Sequence, residues 1–205
     1  MPVKNRIKIF VAGGYYHIYN QGVDKREIFL DEQDYSTFLN LLQCYLSISK
    51  APDSRFKSER PYRLRHRAEM NLTGEISLLA YCLTPTRYDL LVRQNSSTGI
   101  TKLMRRLVTS YVGYFNSKYH RSGGLYQGVY KGLLLDHPEQ IISVTQAIHL
   151  SSVRTNKVGL FSTTSGSPET YPYSSYAKYL AKTAPEWLDI HAVLSLMDEP
   201  IAHQV

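Results

Sequence analysis

The chain has 205 residues, 43% of them hydrophobic, enough for one packed domain with additions or at most two small ones, which excludes disorder as the default state. Lys and Arg outnumber Asp and Glu by 24 to 17, a net charge of +7 that favours polyanionic partners such as nucleic acid. No apolar run approaches the roughly 20 residues that cross a bilayer, and the opening MPVKNRIKIFVAGG lacks a signal-peptide core, so no membrane association and a cytoplasmic location are expected.

Residues 15 to 20, YYHIYN, read as a strand, followed by the turn-like QGVDKR. In LDEQDYSTFLNLLQCYLSI the apolar Phe38, Leu39, Leu42, Tyr45 and Leu46 recur at helical spacing behind an acidic entry, Asp31, Glu32 and Asp34. From Lys50 to Gly74 the pattern lapses into a basic, proline-containing insertion that reads as an ordered arm or a solvated loop. Strands follow at about 76 to 83 and 87 to 93, joined tightly through Thr84, Pro85 and Thr86 as an antiparallel hairpin.

The clearest helix is ITKLMRRLVTSYVGYFNSKYHR, with an apolar stripe from Ile100 through Leu103, Met104, Leu107, Val108, Tyr111 and Val112 to Phe115. GGLYQGVYKGLLLD reads as another strand, and HPEQIISVTQAIHLSSVRTNK as a helix starting near Pro138. The stretch after Gly159 is loop-like, and APEWLDIHAVLSLM reads as a closing helix. Cys44 and Cys82 have no CxxC spacing and read as small buried hydrophobes in a reducing compartment. The element order predicts an α+β ferredoxin-like sandwich, an antiparallel β-sheet carrying helices. The domain is expected over residues 1–180 with the basic insertion at about 50–74, and a helical tail over 181–205.

One stretch raises a chemical question. In LLAYCLTPTRYDLLVRQ the alternation predicts a half-buried strand with Tyr88, Leu90 and Val92 on one face and Arg87, Asp89 and Leu91 on the other. An exposed ion pair between Arg87 and Asp89 is the plain reading.

Five blocks, in order, resemble the IS200-like, REP-associated tyrosine transposases, single-strand DNA nucleases of the HUH type: YYHIYNQGVDKREIFLDEQDYSTFLNLL, LLAYCLTPTRYDLLV, ITKLMRRLVTSYVGYFNSKYHRSGGLYQGVYKGLLLD, AIHLSSVRTNKVG and PETYPYSSYAKYL. The similarity runs from about residue 15 to 180. It implies a strand motif like M-P-N-H-x-H-L-L, whose two histidines hold magnesium or manganese, and a helical motif like Y-I-H-x-N-P-V, whose tyrosine is the nucleophile. Here Arg87 and Asp89 stand at the histidine positions, Ala147 at the tyrosine and Ser151 at the amide ligand. A guanidinium stays protonated and has no lone pair for a cation, and alanine has no oxygen to attack phosphorus. The sequence therefore reads as a natural pseudoenzyme, without metal or cofactor, kept for binding nucleic acid: hairpin or single-stranded DNA, or RNA.

By position the expected nucleic-acid contacts are Lys25, Arg26, Arg87, Lys102, Arg105, Arg106, Lys118, Arg121, Tyr126, Lys131 and Arg154. Arg87 is also a candidate to neutralise the phosphate that the ion would hold. Two other readings stand beside this one. One is a remodelled nuclease, with Asp89 and His149 or His17 as ligands and Tyr88 or Tyr111 as nucleophile. The other is a protein-interaction or RNA-associated subunit of a larger assembly. The resemblance also makes a homodimer an assembly to test.

Overall fold

The computed structural model describes residues 10–47, 71–154 and 167–198; most of the 50–74 insertion lies outside them. Strands β1 (Tyr15–Gln21), β2 (Ile76–Thr84), β3 (Arg87–Gln94) and β4 (Lys131–Leu135) alternate with α1 (Glu32–Leu46), α2 (Gly99–Lys118) and α3 (Pro138–His149). Short helices α4 (Ser151–Arg154), α5 (Tyr176–Leu180) and α6 (His191–Asp198) complete the chain. The sheet order is β2-β3-β1-β4, every pair antiparallel. Each βαβ connection therefore skips one strand, the split arrangement of the ferredoxin-like sandwich expected from the sequence.

Strand pleat decides which side chains meet which helices. Tyr16 and Ile18 of β1 stand opposite Val92 and Leu90 of β3, and this face packs on α1 and α2. Phe38 of α1 lies 5.3 Å from the Tyr88 ring and 5.1 Å from that of Tyr111 on α2, and the Tyr111 hydroxyl donates to the Ile28 carbonyl. The opposite face is covered by α3, which packs on β2, β3 and β4. Strand β3 is thus enclosed on both sides, with Leu91 fully buried, rather than half-buried as its alternation suggests. An added helical layer turns the polar-looking face inward.

Three boundaries differ from the sequence reading. Residues 123–130 are not strand, because Gly123 and Gly128 take positive φ of 85° and 72° and bend the chain; β4 begins only at Lys131. The long helix after Pro138 ends at His149, and Ser151–Arg154 forms a separate turn. The closing helix starts at His191, because Leu188 and Asp189 are drawn onto β2 instead: the Asp189 amide donates to the Leu78 carbonyl at 2.8 Å. Farther along the same edge, Leu83 donates to Tyr173 and Ser175 to Tyr81. The segment after residue 170 thereby covers the free edge of β2, which otherwise presents unpaired backbone groups. Leu188, Ile190 and Val193 are buried in the main core, so the tail packs with the domain.

Candidate nucleic-acid site

Antiparallel pairing sets the end of β1 beside the beginnings of β3 and β4. Gln21 stands opposite Arg87, and Tyr19 opposite both Asp89 and Lys131. Alternation aims His17, Tyr19, Arg87 and Asp89 at the α3 side of the sheet. There the C-terminal turn of α3 descends, and an open cleft of about 310 Å³ forms between the layers, lined by His17, Thr84, Arg87, Asp89, Ala147, Ile148 and Ser151. The four positions singled out by the resemblance, Arg87, Asp89, Ala147 and Ser151, meet in this one cleft.

Its polar wall is a three-residue network. Arg87 Nε donates to Asp89 Oδ2 at 2.6 Å, a second guanidinium nitrogen reaches Oδ1, and His17 Nε2 lies 2.8 Å from the same Oδ1. Both carboxylate oxygens are thus engaged. The Asp89 side chain is 2% exposed and that of Arg87 34%, so the pair is half-buried, not the exposed pair of the sequence reading. Burial opposes the charge on Asp89, but the bonds from His17 and Arg87 outweigh it and hold the carboxyl below its ordinary range. The guanidinium also lies over the Tyr19 ring, 4.4 Å from its centroid, and the His17 ring sits 4.9 Å from Tyr19. Among the described residues no three His, Cys, Asp or Glu side chains are grouped so as to hold a metal ion.

Across the cleft, Ala147 and Ser151 lie one helical turn apart, and Ser151 Oγ donates to the Ala147 carbonyl at 2.9 Å. Ile148 borders the cleft from within the core. His149 points elsewhere: it is buried among Tyr176 and Tyr179, bonds Ser175 Oγ at 2.9 Å, and burial lowers its pKa to about 4. Tyr88 and Tyr111 are fully buried between sheet and helices, and burial raises both phenols far above their ordinary pKa. Of the alternative ligands and nucleophiles, the structure therefore brings only His17 to Asp89.

The expected contact residues divide by position. Lys25 and Arg26, exposed in the turn after β1, and Lys131, whose ammonium lies 5.7 Å from the Tyr19 centroid, belong to the same end of the sheet as the cleft. Tyr126 does not present its ring: it is buried edge-on against Tyr88 at 5.5 Å, because Tyr126 pairs with Gly22 and is drawn under β1. Lys118 is held by Asp31 at 2.7 Å and Asp34 at 2.9 Å, on the α1–α2 side. Arg121 packs over Phe115 nearby. Lys102 pairs with Glu75 at 2.6 Å; it and its neighbours Arg105 and Arg106 lie toward the N-terminal end of α2, which antiparallel topology sets at the opposite end of the sheet. Lys102 and Lys118 are about 24 Å apart along the helix. Arg154 ends α4, and its side chain is outside the described residues. Sequence reading missed Tyr19 and Thr84; the signal for Tyr19 was its i+2 spacing from His17, which places both rings on one strand face.

Comparison with known proteins finds no matching family model and no matching curated protein. Solved structures do match. A REP-associated tyrosine transposase bound to a REP hairpin, 10% identical, superposes on 92% of this chain and 93% of its own, with a TM-score of 0.54. A protein assigned as a transposase from Deinococcus radiodurans R1, 14% identical, covers 71% of this chain and 94% of its own, with a TM-score of 0.39. In architecture, across a sequence distance at which only fold is legible, this chain has the fold of the REP-associated tyrosine transposases.

Proposed function

We propose that this protein binds hairpin or single-stranded DNA with the cleft end of its sheet and does not cut it. The observation that carries the reading is the Arg87–Asp89–His17 network facing Ala147. A divalent cation needs oxygen or imidazole lone pairs turned toward one point, whereas here both Asp89 oxygens already accept from cationic or N–H donors, and a guanidinium stands beside them. The residues do not fit the ion. Across the cleft stand the Ala147 methyl, which has no atom to attack phosphorus, and the Ser151 hydroxyl, which donates to the Ala147 carbonyl.

Grip does not require that chemistry. Lys25, Arg26 and Lys131, at the cleft end of the sheet, supply phosphate contacts beside the Tyr19 ring, a combination of cations and aromatic surface that holds a nucleic-acid strand without cutting it. The hairpin carried by the matching transposase makes a hairpin the first ligand to try. The same reading places the protein in the cytoplasm, where RNA hairpins compete as ligands, with a homodimer as an assembly to test by light scattering.

The test is incubation of the protein with end-labelled hairpin DNA bearing a single-stranded extension, with Mg²⁺ or Mn²⁺. Salt-dependent binding by fluorescence anisotropy, with intact DNA and no covalent protein–DNA adduct on denaturing gels, is expected. Metal-dependent strand breakage overturns the reading, as does affinity indifferent to salt.

A further inference from the structure

Arg87 does more than fill a corner of the cleft. Two of its nitrogens are committed to Asp89 and its plane lies over Tyr19, so the guanidinium is fixed in orientation. The carboxylate that fixes it also offsets its charge. With two of its nitrogens bonded to Asp89 and much of its charge offset there, the guanidinium pulls on a phosphate less than an unpaired arginine does. What remains attractive is a flat, weakly hydrated cationic surface with one uncommitted nitrogen, a type of surface on which nucleobases stack.

The rest of the lining suits the same occupant. Donation from His17 Nε2 to Asp89 leaves His17 Nδ1 as the ring nitrogen not engaged with the carboxylate. Arg87 thus supplies a donor and His17 a free ring nitrogen on one wall, while the Ala147 methyl lies opposite, with the core residue Ile148 behind it. At about 310 Å³ the cleft has the size of a small-ligand pocket. Lys131 and the turn bearing Lys25 and Arg26 lie at the same end of the sheet, where the connected phosphates would run.

We infer that the cleft is a nucleobase pocket that receives one unstacked base of a single-stranded segment, read by Arg87 and His17 and packed against Ala147. This rests on the nucleic-acid-binding reading for its biological meaning, but the pocket can be tested without DNA. Uncharged nucleosides (adenosine, guanosine, cytidine and thymidine) and inorganic phosphate are titrated separately into the full-length protein, following the Ala147 and Ile148 methyl resonances. At least one nucleoside is expected to shift both methyls saturably at millimolar concentration, and phosphate to leave them in place. Ala147→Phe, which fills the cleft, and Arg87→Lys, which keeps the charge but loses the plane, are each expected to weaken nucleoside binding at least tenfold. The wild-type titration stands whether or not either variant folds.

A second arm uses a hairpin with a 2-aminopurine at successive positions of its extension. Fluorescence is expected to change on binding at one position, and an abasic site there to lower affinity about tenfold. Methyl shifts with phosphate but with no nucleoside overturn the pocket, as does the absence of any nucleoside shift. Nucleoside shifts without hairpin binding sustain the pocket and overturn the proposed function instead.

Discussion

Two buried side chains near the cleft carry opposite electrostatic burdens. His149 is held neutral by burial, with its pKa lowered from 6.5 to about 4. Its folded-state pKa lies below the unfolded value, so the unfolded chain takes the proton first. Stability contributed by the neutral ring is complete above pH 6.5 and is lost as pH falls toward 4. Between pH 7 and pH 5 this group alone is expected to cost about 2 kcal/mol; urea unfolding at the two pH values should show that loss, and His149→Gln should remove it. Asp89 differs in kind, because its carboxyl is depressed by its partners. Its contribution is present above the ordinary carboxylate range and disappears only as pH falls below that range. Asp89→Asn strands Arg87 without its counter-charge, and with the guanidinium one-third exposed the expected cost is about 2 kcal/mol, read from the urea midpoint at pH 7.

Helices α1 and α2 are fastened where one begins and the other ends. Asp31 caps α1 by accepting the Asp34 amide at 3.1 Å. Asp34, fully buried, accepts from the Leu30 amide, Tyr114, Tyr119 and Lys118. Lys118, in the last turn of α2, is the one cation bonded to that set among the described residues, and its carboxylate partners raise its pKa against the effect of burial. Lys118→Met is expected to destabilise the protein by about 3 kcal/mol, since it leaves a buried carboxylate without its counter-ion; calorimetric melting checks this. From sequence, Lys118 was indistinguishable from a free surface cation. Its partners are more than 80 residues away, and an i, i+4 pattern reports only neighbours within a helix. The tail behaves likewise. A chain ending at residue 167 should fail to fold cooperatively and should aggregate, because it exposes the β2 edge and removes Leu188, Ile190 and Val193 from the core; light scattering and circular dichroism read the outcome.

At the scale of the whole molecule the net charge of +7 is less informative than its distribution. Lys102 is paired at the far end of the sheet, Lys118 is consumed by α1, and Lys25, Arg26 and Lys131 lie at the cleft end of the sheet. Substituting Lys25, Arg26 and Lys131 by alanine is therefore expected to flatten the dependence of log K on log salt by about 0.7–0.9 per charge removed. Lys102→Ala should leave that slope unchanged. Anisotropy titrations with hairpin DNA at several salt concentrations measure both, and equal effects at the two ends would show that binding follows net charge alone.

Periodicity and element order by themselves determined the strands, the main helices and the split βαβ arrangement, because alternation and helical spacing report locally which side chains seek the core. The resemblance marked Arg87, Asp89, Ala147 and Ser151 as one cluster, and local residue chemistry stated what those types are unable to do. Only the tertiary structure decided that the Arg87–Asp89 pair is half-buried, that His17 rather than His149 completes it, that Tyr19 lies beneath the guanidinium, and that Tyr126 and Lys118 are turned inward. Those outcomes depend on strand register, on a third layer of helix and on contacts between residues distant along the chain, none of which leaves a trace in local spacing.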